Sequence, residues 1–129
     1  QRNQVIEVWN GGIPAAMVIN ERGEINWLFR SQHLPLGVAG SDYTALTEIQ
    51  QWREPGQLLL CSDGLIDSKN EAGEPLGTER LTSLLPTTDP GQRFQTLLTS
   101  AKKHQGEIPP FDDCTLILAD LPGNSPIST

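Results

Sequence analysis

Residues 58–65 read Leu58-Leu59-Leu60-Cys61-Ser62-Asp63-Gly64-Leu65, and the fold turns on how this stretch is placed. Four consecutive apolar residues are too few for a buried helix. They suit a strand covered on both faces, and such a strand belongs in the middle of its sheet. The Glu54-Pro55-Gly56 turn delivers the chain into it. Beyond it the pattern changes: residues 63–77 are polar and glycine-bearing, which predicts a long functional loop, and helical spacing begins only after Thr78.

Upstream, Val5 to Trp9 alternates, Asn10-Gly11-Gly12 makes a turn, Ala15 to Ile19 is an apolar run, and a second turn at residues 20–23 leads into Ile25 to Phe29. The spacing predicts an antiparallel meander. Residues 33–42 form a glycine-bearing loop, and Tyr43 to Ile49 alternates as a half-buried strand does. Downstream, Asp89 as N-cap with Pro90 at the first helical position opens a helix whose apolar stripe is Phe94, Leu97, Leu98 and Ala101. Lys102, Lys103 and His104 suit its C-terminal dipole, and Gly106 ends it. A proline-containing loop, residues 108–111, leads through Asp112 and Asp113 into a last strand, Thr115 to Leu118, and residues 122–129 read as a frayed tail.

At 129 residues the chain supplies one compact unit or part of one. No apolar run approaches the roughly 20 residues of a membrane-spanning helix. Nothing reads as a signal peptide, so a cytoplasmic location is expected. The formal net charge of −7 disfavours nucleic acid and anionic membrane surfaces as partners. An acidic chain can still handle a phosphorylated substrate if its carboxylates first gather divalent cations that invert the local field. The two cysteines, Cys61 and Cys114, lie in strand-like runs without the spacing of a zinc site and are expected to be buried free thiols.

Two acidic positions stand where a strand meets a loop, Asp63 and Asp112. Carboxylates on such rigid platforms can bind hard cations such as Mg²⁺ or Mn²⁺, and Gly64 would let the backbone turn away beneath the ion. Either motif alone also fits an ordinary turn or a solvated strand entrance. His33 and His104 read as an isolated loop residue and a helix-ending residue rather than as acid/base groups.

Taken in order, the short patterns resemble the second half of a SpoIIE-type, PP2C-like protein serine/threonine phosphatase domain across nearly the whole chain. Asn10, Gly11, Gly12 and Pro14 match that family's asparagine-glycine turn, with Ile13 where a histidine is often found. Pro35, Leu36 and Gly37 match a proline-leucine-glycine loop, and Pro55, Gly56 and Leu58 to Leu60 match a turn into an apolar strand that ends at a metal aspartate, here Asp63. Asn70, Gly73, Glu74, Gly77, Arg80 and Leu81 follow the family's next pattern, and Asp112, Asp113, Thr115 and Leu116 to Leu118 its closing double aspartate and strand.

The resemblance implies an α+β fold, a PP2C-like α-β-β-α sandwich of antiparallel sheets flanked by helices. Residues 1–121 would be the C-terminal part of that domain. It implies Asp63 and Asp112 as ligands of one catalytic Mn²⁺ or Mg²⁺ in a two-metal site. Asp67 would lie near an additional, weaker ion or be a solvated loop acid, and Asp113 would orient Asp112 or a bound water. The family's remaining acidic ligands precede the point where this sequence starts, so the chain by itself is expected to be inactive. The implied substrate is a phosphorylated regulatory protein such as an anti-sigma-factor antagonist, with a sensor or receiver domain upstream. A truncated sandwich would also favour a homodimer. The rival reading is a degenerate phosphatase fold that binds a regulatory protein without turnover.

Overall fold

A computed structural model describes residues 4–31, 47–107 and 113–123. The chain runs β1 (Gln4–Val8), β2 (Ala16–Asn20), β3 (Ile25–Phe29), β4 (Glu48–Trp52), β5 (Gly56–Cys61), α1 (Asp63–Ile66), α2 (Gly77–Thr82), α3 (Arg93–Gln105) and β6 (Leu116–Leu121). Single 3₁₀ turns at Leu85–Thr87 and Pro90–Gln92 lead into α3. Four strands form one antiparallel sheet in the order β3-β2-β5-β6, and β1 pairs antiparallel with β4 in a separate two-stranded leaf.

Period-two alternation assigns the sheet's two faces. Ala16 and Val18 of β2, Phe29 of β3 and Leu58 and Leu60 of β5 meet Ile6 and Val8 of the leaf. On the opposite face Met17, Ile19, Leu59 and Cys61 meet Leu65, Leu76, Leu81, Leu85, Leu97 and Ala101 from the helical side. The result is three layers: leaf, sheet and helices. The expectation for Leu58 to Cys61 holds, since β5 is interior to its sheet. The mixed α+β class with antiparallel sheets holds as well.

Several expectations need correction. The first three strands are not a meander, because β1 skips β2 and pairs with β4, Glu7 opposite Ile49; only β2 and β3 form a hairpin. The strand expected over residues 43–49 runs over Glu48–Trp52 instead, with residues 43–46 outside the described ones. Residues 63–77 are not wholly loop, because α1 starts at Asp63 itself. Cys114 is exposed, not buried, because β6 begins two residues later; Cys61 is buried as expected, and neither forms a disulfide. The loops at residues 33–42 and 108–111 and the end of the tail lie outside the described residues.

The face of α3 also differs. Arg93, Leu97 and Ala101 point inward, whereas Phe94 is 43% exposed. The inward face is shared with Arg93, whose guanidinium is held by Asn20 O and Gln57 Oε1, so the buried positions run 93, 97 and 101 and Phe94 falls outside them. Arg93 is 1% exposed. Its Nη1 donates to Asn20 O at 2.9 Å and to Gln57 Oε1 at 3.0 Å, and its Nη2 donates to Glu21 O. Burial pulls this guanidinium below its ordinary pKa, against the charges of Asp89 and Glu21. Gln57 in turn donates to Pro90 O and Asp120 Oδ1. The start of α3 is therefore fastened to the start of β5, and the helix runs towards the end of the strand that carries Asp63.

The turn between β2 and β3 admits only glycine at one place. Gly23 has φ +80°, and a Cβ there would lie 2.2 Å from the backbone oxygen of Leu85.

Candidate functional site

The end of β5 and the entrance to β6 are adjacent, Cys61 opposite Leu116. One residue past this pair the ladder is closed by a side chain. Ser62 N donates to Thr115 O at 3.0 Å, Thr115 N donates to Ser62 Oγ at 2.9 Å, and Ser62 Oγ donates to Asp113 O at 3.4 Å. A hydroxyl both donates and accepts, so this one group ties the two loop mouths together where the sheet's own ladder stops. Sequence reading passed over Ser62. Its signal was a short hydroxyl residue between the apolar strand and Asp63, at the point where ladder bonds run out.

Asp63 is the first residue of α1, and its side chain is exposed. Its charge is felt locally: burial, and after it the Asp63 carboxylate, push the Cys61 thiol up to about 11. Gly64 is the second helical residue and has no positive φ, so it serves as an ordinary helical position and not as the sharp turn expected of it. Asp67 closes α1, its N–H donating to Asp63 O at 2.8 Å, with its side chain exposed. Asp113 is exposed beside Ser62. Asp112 lies outside the described residues. The structure thus brings together Asp63, Asp67 and the entrance that carries Asp113. All are hard oxygen donors of the kind Mn²⁺ and Mg²⁺ take. Among the described residues no group of three or more His, Cys, Asp or Glu side chains converges closely enough to hold an ion.

From α1 the chain makes a small hairpin over residues 67–76. Lys69 bridges Pro75, Asn70 N donates to Glu74 O at 3.0 Å, and Glu74 N donates to Asn70 Oδ1 at 2.9 Å. Arg80 of α2 reaches back to Glu74 at 2.7 Å and, with Asn70, holds that carboxylate below its usual range. His104 does structural work here, its Nε2 lying 2.9 Å from Glu74 O; His33 is outside the described residues.

Residues 1–122 match the family model described as Stage II sporulation protein E (SpoIIE). The chain belongs to the SpoIIE family. It is a SpoIIE-type, PP2C-like domain, and that membership supports a phosphatase-type domain. In structure this SpoIIE-type chain is similar to the SiaA-PP2C domain of Pseudomonas aeruginosa, with a TM-score of 0.73 at 16% identity. The match covers 92% of this chain and 47% of that one, so the chain spans about half the length of its structural relative. No curated protein matches it in sequence. PP2C family domains are generally Mn- or Mg-dependent. No helix among the described residues is long and apolar enough to cross a membrane.

Proposed function

We propose that the chain is part of a metal-dependent protein serine/threonine phosphatase that removes phosphate from a regulatory phosphoprotein in bacterial signalling, of the kind an anti-sigma-factor antagonist represents. One observation carries this reading: the Ser62 clamp sets the strand end that leads into Asp63 beside the strand entrance at Asp113, in a chain of SpoIIE type. Asp63 and Asp112 would hold a Mn²⁺ or Mg²⁺, which when bound acidifies water and offsets charge on phosphoryl oxygens.

The chain's own residues then have distinct tasks. Asp63 contributes a carboxylate on a rigid strand end. Asp113 would orient Asp112 or a bound water, and Ser62 ties the end of β5 to the entrance of β6, a positioning task. Asp67 has an exposed carboxylate one helical turn from Asp63, facing water or a second, weaker ion. This chain supplies only part of a two-metal ligand set, so turnover needs the rest of the phosphatase domain, and the 129-residue chain alone is expected to be inactive.

The test is turnover of a phosphoprotein by the intact domain, wild type against Asp63→Asn, with Mn²⁺ and with chelator. The amide keeps the shape but removes the charge that anchors the ion, so activity should fall by on the order of a hundredfold or more. Chelator-insensitive hydrolysis would remove the metal from the mechanism. An inactive wild type that binds its partner tightly would establish the non-catalytic binding module instead.

A further inference from the structure

The cluster that fastens α3 to β5 is complete but for one atom. Gln57 is 4% exposed and commits its whole amide to the cluster: Oε1 accepts from Arg93 Nη1, and Nε2 donates to Pro90 O and Asp120 Oδ1. Arg93 Nη1 also donates to Asn20 O, and Nη2 donates to Glu21 O. Arg93 Nε, by contrast, is buried without a partner. A buried N–H left unpaired costs stability that an acceptor would restore.

A cavity of about 290 Å³ adjoins this cluster, with Arg93 itself in the wall. A guanidinium is planar, and its Nε–H leaves on the same side as Nη2. The partner of Nη2 is Glu21, which also lines the cavity, so the open donor lies towards the cavity's Glu21 side. Pro55, Pro90, Leu121 and Pro122 supply much of the remaining wall. Prolines offer no N–H, and an ordered water needs about two to four polar partners, so the lining suits an apolar body that carries an acceptor better than it suits solvent. The lining charges then limit what that body carries. Besides Arg93 the wall holds two carboxylates, Glu21 and Asp120, both exposed. They offset the guanidinium, so an acidic ligand gains little from Arg93 and meets two like charges. A cation is drawn to the carboxylates but has no lone pair for Nε. A neutral amide answers both, because its carbonyl accepts and its N–H donates.

We propose that this cavity binds a small neutral amide with an apolar body, its carbonyl accepting from Arg93 Nε and its N–H donating to Asp120 or Glu21. The site is independent of the phosphatase chemistry. It adjoins Gly56, where β5 starts, whereas Asp63 follows the far end of that strand, roughly 17 Å away at about 3.4 Å per residue. A cavity of this size takes roughly ten heavy atoms, which sets an affinity on the order of 1 mM.

The experiment is an NMR titration of the ¹⁵N-labelled chain with benzamide, read at the Arg93 Nε–Hε resonance, with benzoate as the acid of the same shape. Benzamide should shift that resonance saturably with a Kd on the order of 1 mM, and benzoate should bind about tenfold or more weakly. Asp120→Asn removes one carboxylate but leaves an oxygen for Gln57, and its site is exposed, so the fold should survive. In that variant benzoate should bind about threefold or more tightly than to the wild type, narrowing the gap between the two ligands. An Arg93 resonance that benzamide leaves unmoved would give the cavity to solvent and overturn the site. Benzoate binding to the wild type as tightly as benzamide would overturn the choice of a neutral amide, and an unchanged gap in Asp120→Asn would show that the lining carboxylates do not select the ligand.

Discussion

Cys61 closes β5 with its thiol buried, while Cys114 stands exposed one residue after Asp113. The Cys61 thiol is pushed up to about 11, by burial first and by Asp63 second, so at pH 8 only about one molecule in a thousand carries it as thiolate. A raised pKa in the folded state means that this thiol's contribution to stability is complete below the ordinary thiol range and is lost as pH rises towards 11. One thiol per native chain should therefore react promptly with Ellman's reagent at pH 8. Cys114→Ser should abolish that reaction, and the second thiol should appear only in denaturant. Rapid modification of two thiols in the native chain would contradict the buried end of β5. At this scale the acids were legible because strand-to-loop junctions show in the sequence. The Ser62 clamp was not, because a hydroxyl's partners depend on which strand end arrives beside it, and that strand starts more than fifty residues later.

Among elements, α3 separates what periodicity can settle from what it cannot. The run from Phe94 to Ala101 announces a helix, and Gly106 ends it with φ 62° as a C-terminal glycine should. Its phase is another matter, because the inward face includes Arg93, and a buried arginine that caps the carbonyls of Asn20 and Glu21 does not look like core. The two phases agree on Leu97 and differ on Phe94. Leu97 is 0% exposed and packs among Leu59, Leu81 and Leu85, so Leu97→Ala should cost about 2 to 5 kcal/mol through lost burial and the cavity left behind. Phe94 is 43% exposed, and Phe94→Ala should cost less than about 1 kcal/mol. Urea unfolding of the two variants decides, and a loss from Phe94→Ala as large as that from Leu97→Ala would restore the stripe read from the sequence.

For the whole molecule, hairpin neighbours were readable and the distant pairing was not. β2 and β3 share a short turn whose residues announce it, whereas β1 finds β4 only after two other elements and residues 32–46 have intervened. Contacts between strands so far apart depend on the shape of the finished core, and no local pattern encodes them. The leaf that results has one covered face and one bare one. Ile6 and Val8 pack on the sheet, while Val5 and Ile49 are 49% and 60% exposed. Within the described residues β1 and β4 pair only with each other, so each has an outer edge without a ladder partner, and unpaired edges beside exposed apolar side chains favour strand-to-strand association. The isolated chain should therefore show a concentration-dependent shift from monomer to dimer in sedimentation velocity. Ile49→Lys should weaken it by placing a charge on the bare face of an edge strand, a device by which edges are kept from pairing. Ile117 provides the control, because it is equally apolar and 50% exposed but lies on β6, at the edge of the other sheet. If Ile117→Lys disperses the dimer and Ile49→Lys does not, the contact belongs to the four-stranded sheet; a monomer at all concentrations would mean that neither edge recruits a second copy.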